Sequence, residues 1–158
     1  MRTTREYAPA IELWQGHAEL FSSSSPDICD DVAWSLYSLG KYQEAQLAAL
    51  RGLAQAEVTP VQKFLLLNAL GSCQSDLGQF ARAEQHYSEM VELGKTTDVP
   101  PRYISAGLQN RAMVLMHQGR YPQALLDLEE ALKIAGEVGG LTLCQHSDAL
   151  GPGTNRHG

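Results

Sequence analysis

A seven-residue phrase occurs three times in this chain without gaps. Leu39-Gly40-Lys41-Tyr42-Gln43-Glu44-Ala45 aligns with Leu77-Gly78-Gln79-Phe80-Ala81-Arg82-Ala83 and with Gln118-Gly119-Arg120-Tyr121-Pro122-Gln123-Ala124. Each copy reads Gly, a polar residue, an aromatic, two further residues, then Ala, and the glycines lie 38 and 41 residues apart. A self-similarity of that length marks stacked supersecondary units in which each unit buries its apolar face on the next. The chemistry of the phrase is that of a helix–turn–helix corner. Gly closes one helix in the left-handed conformation that a Cβ penalises. The aromatic is expected to pack across the turn, and the Ala to let the two backbones approach. Pro122 falls in the first turn of its helix, where its missing N–H costs little.

The flanking periodicities fit the same corner. Cys29, Val32, Ala33 and Leu36 recur at helical spacing before the first turn, and Ala45, Ala49, Gly52 and Leu53 after it. The second unit offers Leu66, Leu70, Cys73 and Leu77, then Ala83, Tyr87, Met90 and Val91. The third offers Leu108, Ala112 and Leu115, then Ala124, Leu128, Ala131 and Leu132. Helix starts are marked by Pro26-Asp27, Thr59-Pro60 and Pro100-Pro101. Six amphipathic helices in three hairpins follow, over residues 26–58, 60–95 and 101–138. A half unit at 5–21 precedes them: Tyr7 stands three residues before Ala10, and Trp14 and His17 continue one face. Ser22 to Pro26 is a short polar connection. The repeat domain thus runs over 1–140. Leu141 to Leu150 reads as one more short helix or a fraying end, and the Gly- and Pro-containing residues 151–158 cannot bury apolar surface.

Composition removes several functions. A net charge of −6 argues against a nucleic-acid binder, which carries a basic face to displace counterions. The N-terminus lacks the apolar stretch of a secretory signal, and no apolar run approaches a membrane span. Cys29, Cys73 and Cys144 have no metal-type spacing, and read as small hydrophobes in a reducing cytoplasm. The histidines show no zinc pattern, and no phosphate-cradling glycine loop is present. Cys73 with His86 would lie on different helices, Cys73 on a buried face, which argues against a nucleophile and base. No catalytic residue, cofactor site or metal site is expected.

With its Gly-x-aromatic-x-x-Ala turns, Leu70-Gly71, Tyr87 and Ala131, the chain resembles the tetratricopeptide repeat family over roughly residues 5–137. There are departures. The family's first-helix Trp is Cys29, Leu67 and Leu108 here, the closing Pro is missing, and Gln74 and Arg111 stand in normally apolar slots. The units are longer than the usual period of about 34 residues. In that they are similar to the units of kinesin light chains, spindle-orientation adaptors and bacterial signal-sensing regulators.

The resemblance implies an all-α right-handed solenoid of antiparallel hairpins, about three and a half repeats long, that binds protein segments on a concave side lined by the first helices. That lining would be Asp30, Asp31, Trp34, Tyr37 and Ser38, then Asn68, Ser72, Ser75 and Asp76, then Gln109, Asn110, Met113, Met116 and His117. Trp34 and Tyr37 have the chemistry of binding anchors, although Trp34 packing on Trp14 or the N-terminal helix as core is an equal reading. Met113 and Met116 fit an adaptable apolar contact or packing between repeats. Asn68 fits pairing with an extended peptide backbone or plain solvation. Relatives that grip the acidic C-terminus of heat-shock chaperones use Lys, Arg and Asn on this lining. Asp30, Asp31 and Asp76 argue instead for a partner with apolar anchors and some Lys or Arg. Nucleic acid and membrane are not expected partners. A different function stands beside this one: self-association, a homodimer formed by covering exposed terminal helix faces.

Overall fold

The computed structural model describes residues 25–138, and these contain six helices and no strand. They are α1 (Pro26–Ser38), α2 (Tyr42–Leu53), α3 (Pro60–Asp76), α4 (Phe80–Thr96), α5 (Pro101–His117) and α6 (Tyr121–Val138). The expected half unit at 5–21 and the tail at 141–158 lie outside the described residues. Each helix packs on the one before it and the one after it, α1 reaches α3, and α3 reaches α5. Such serial packing is an α–α solenoid of hairpins.

Local chemistry explains the punctuation. α1, α3 and α5 begin with proline, whose fixed φ suits the first turn. The Ser25 side chain accepts from the Ile28 N–H, and Thr59 and Gln62 form a reciprocal capping box. The three repeated turns share one hydrogen-bond pattern. The Lys41, Gln79 and Arg120 amides donate to the carbonyls of Leu36, Gln74 and Leu115 at 2.9, 2.8 and 2.9 Å. These six-to-one bonds close each first helix, with Gly40, Gly78 and Gly119 at φ +75°, +74° and +73°.

The core is a chain of linked clusters. Cys29, Val32 and Leu36 of α1 meet Ala45, Ala48 and Ala49 of α2 and Leu66, Leu70 and Cys73 of α3. Phe64 and Leu67 continue to Ala83, Tyr87 and Met90 of α4 and Val114 of α5. Val91 and Leu108 reach Ala131 of α6, and Ala112 and Leu115 reach Ala124. Small residues set the spacing. A Cβ on Gly71 would come within 2.7 Å of the Tyr87 ring, and one on Gly52 within 2.7 Å of Leu66.

Two apolar expectations differ. Leu132, on the expected buried face, is 72% exposed, and Tyr121 is 65% exposed where Tyr42 and Phe80 are half-buried. Both lie on the third hairpin, where no described helix follows to cover the positions that the next hairpin covers in the earlier units. The two polar residues in apolar slots are resolved by partners. Gln74 is 4% exposed and its Oε1 lies 2.8 Å from His86 Nδ1. Arg111 makes a bidentate pair with Asp127, at 2.7 Å from both Nε and Nη2.

Candidate partner-binding face

Equal register on α1, α3 and α5 produces ladders across these neighbouring helices. Asp30, Asn68 and Gln109 occupy one rung position, Trp34, Ser72 and Met113 a second, Tyr37, Ser75 and Met116 a third, each set repeating the 38- and 41-residue intervals. Hydrogen bonds tie adjacent helices along this face. Tyr37 donates from its hydroxyl to Asp76 Oδ2 at 2.6 Å, joining α1 to α3. Asn110 Nδ2 donates to Asn68 Oδ1 at 2.8 Å, joining α3 to α5. Asn68 is therefore committed to a neighbouring helix, a partner that inspection of single helices could not have named.

The α1 end is aromatic and acidic. Trp34 is half-buried, packed against the first core cluster, and meets Tyr37 edge-on with ring centroids 5.3 Å apart. Tyr37 in turn meets Tyr42 at 5.3 Å. Burial and the Asp76 carboxylate hold the Tyr37 hydroxyl protonated far above its ordinary range. Asp30 is half-buried, and its Oδ1 is buried without a hydrogen-bond partner. Burial, then the Asp31 charge, push its carboxyl up to about 6, against a hydrogen bond from Trp34.

The middle rungs are small. Ser72 shares a 3.1 Å hydrogen bond with the Tyr87 hydroxyl, and Ser75 is half-buried. The α5 end is apolar and open: Met113 is 53% and Met116 39% exposed. Gln109, also exposed, donates to Ser105 Oγ at 3.2 Å. The acidity of Asp76 does not recur there; the position in register with it is His117, stacked on Phe80 at 5.1 Å. The face thus runs from a bulky aromatic pair over two serines to a methionine pair.

Among the described residues no group of three His, Cys, Asp or Glu could hold a metal ion. Burial raises the Cys29 and Cys73 thiols, Cys73 to about 12, so neither of these two is a ready nucleophile. His86 Nδ1 lies between Gln74 Oε1 and the Arg82 carbonyl, engaged with those groups. No helix among the described residues is long and apolar enough to cross a membrane.

Comparison with known proteins supports the repeat reading. Residues 105–137 match the tetratricopeptide repeat family. Curated proteins give no match. Among solved structures the fold is similar to that of "BtubC (BKLC) from P. vanneervenii", at TM-score 0.61 and 15% identity. That similarity covers 86% of this chain and 55% of the other, so this chain spans about half of that protein's length. Tetratricopeptide-like folds are generally non-catalytic scaffolds for protein–protein interaction. Residues 105–137 are thus similar to one tetratricopeptide repeat, and the chain shares the helical-repeat fold of that solved structure.

Proposed function

We propose that this protein is a non-catalytic scaffold whose α1–α3–α5 face binds a segment of a protein partner carrying apolar anchors and Lys or Arg. The observation that carries this reading is the ladder itself. Trp34–Tyr37 and Met113–Met116 bracket the smaller Ser72 and Ser75, while Asp30 and Asp76 supply negative charge and no Lys or Arg occupies these rungs. Aromatic and methionine side chains are the residues that dominate binding energy and adapt to a partner's shape. Opposite charge steers the encounter and fixes its register. A cytoplasmic setting, with Cys29 and Cys73 reduced and buried, goes with this function.

Selection of a random-peptide display library on the folded protein tests it. Enriched peptides should carry a bulky apolar residue near Lys or Arg. Their affinity should fall by roughly tenfold or more in Met113→Glu/Met116→Glu, the scale of losing an interface anchor. These two side chains are exposed, so the variant keeps its helicity. Enrichment of acidic peptides, or binding indifferent to the variant, would move the partner off this face.

A further inference from the structure

The outer face of α6 repeats, in register, a face that α4 uses to hold a helix. Every position of the α4 face has a partner in the third hairpin. Glu84 accepts from Arg120 at 2.9 and 2.8 Å, and Ser88 Oγ accepts from Arg111 Nη1 at 3.2 Å. Val91 packs with Leu108, and Ile104 lies so close on Gly94 that a Cβ there would come 2.5 Å from its Cγ1. Adding the 41-residue repeat interval turns Glu84, Ser88, Val91 and Gly94 into Leu125, Glu129, Leu132 and Ala135. All four are exposed, Leu125 at 57% and Leu132 at 72%. Large leucines at the positions that seat a helix one repeat earlier form an apolar patch with an acid at its centre, the composition of an interaction site.

We infer that this α6 face docks an amphipathic helix of a partner protein, lying as α5 lies on α4. The register specifies the chemistry of that helix. Opposite Ala135 it needs a small residue, because Ala135 carries the Cβ that Gly94 lacks. Four residues on, where Leu108 meets Val91, it presents Leu to Leu132. Three further on, where Arg111 meets Ser88, it places Arg or Lys on Glu129. The partner helix therefore reads small-x-x-x-Leu-x-x-Arg/Lys, with a further apolar residue for Leu125. Residues 139–158 do not carry that pattern. The 20 residues after Val138 contain Arg156 as their only Lys or Arg, and none has Leu three positions before it. Leu108-x-x-Arg111 is the only Leu-x-x-Lys/Arg in the sequence, and in a second copy it is already packed on α4.

α5 is itself the natural probe. A fluorescent synthetic peptide of residues 100–118 carrying Ile104→Ala is titrated into the intact protein and followed by anisotropy. Saturable binding is expected, weakened by roughly tenfold or more in Leu132→Glu, the effect of losing a central apolar contact. Glu129→Lys should weaken it too, and a peptide carrying Arg111→Glu as well as Ile104→Ala should regain affinity for the Glu129→Lys protein. Met113→Glu/Met116→Glu should leave this binding unchanged, which separates it from the α1–α3–α5 face. Absence of saturable binding, or binding indifferent to Leu132→Glu, overturns the inference. A concentration-dependent dimer abolished by Leu132→Glu, without peptide binding, would also overturn it and give the face to a second copy.

Discussion

At the scale of single residues, two charged groups occupy opposite situations. Arg111 stands in a slot that this repeat architecture fills with an apolar side chain, and Asp127, 7% exposed, answers it from α6 with two parallel bonds. Removing one member of a largely desolvated pair costs more than the pair contributes, because the other charge is left behind. Asp127→Ala should lower stability by about 2 kcal/mol in urea unfolding, less than for a fully buried pair because the Arg111 side chain keeps 21% of its exposure. Asp30 is the converse, a half-buried carboxylate with an orphaned oxygen and a pKa raised from 3.8 to about 6. A raised carboxylate binds its proton more tightly when folded. It therefore imposes no penalty below about pH 4, a growing one between about pH 4 and 6, and its full penalty above that. Asp30→Asn should raise the melting temperature at pH 7.5 and leave it nearly unchanged at pH 4, measured by differential scanning fluorimetry. An equal gain at both values would show that relief of charge is not the cause.

At the scale of elements, the helices are defined by their ends more than by their interiors. Thr59 caps α3 reciprocally with Gln62, whose amide also donates to Asp27 of α1 at 3.0 Å. Thr59→Ala should cost about 1 kcal/mol in thermal or urea unfolding, the usual loss of a capping side chain. Glycine plays two different parts. At Gly78 the left-handed φ of +74° is the reason for the residue, and open space surrounds it. Gly78→Ala should cost about 1 kcal/mol through backbone conformation alone. Gly71 lies inside α3, where alanine would otherwise favour the helix, but the Tyr87 ring occupies the place of its Cβ. Gly71→Ala should be the worse of the two in the same assay. A stabilised variant would mean that Tyr87 moves aside at little cost.

At the scale of the whole molecule, stacking decides what a given apolar residue contributes. Val91 and Leu132 occupy the same register in consecutive units, yet Val91 is 0% and Leu132 72% exposed. Val91→Ala should destabilise by about 2 kcal/mol, since it opens space between α4 and α5. Leu132→Gln should stay within about 0.5 kcal/mol, as surface substitutions do. Urea unfolding of the two variants side by side measures the difference. Equal losses would show that Leu132 is covered in solution, by another copy or by chain outside the described residues. The serial clusters also make stability a matter of neighbour-to-neighbour junctions.

The hairpins were legible in the sequence because their determinants are local. Gly40, Gly78 and Gly119, the aromatics and alanines after them, and the prolines before α1, α3 and α5 act within a few residues of where they stand. The apolar spacing likewise located Cys29, Val32, Leu36, Leu66, Leu70 and Leu108 in the core without reference to any other helix. Residues answered by a different hairpin were not legible. Nothing near Asn68 announces Asn110, nothing near Tyr37 announces Asp76, and only the fold brings Asp127 to Arg111. Whether Trp34 was an anchor or core had no local answer either: the fold leaves it half-buried and packed against the first core cluster. Leu132 has the same periodicity as Val91, and only the stacking of hairpins covers one and leaves the other in water. Helices and turns follow from the chain's own short-range chemistry, whereas the identity of a side chain's neighbour depends on which hairpin the stack places beside it.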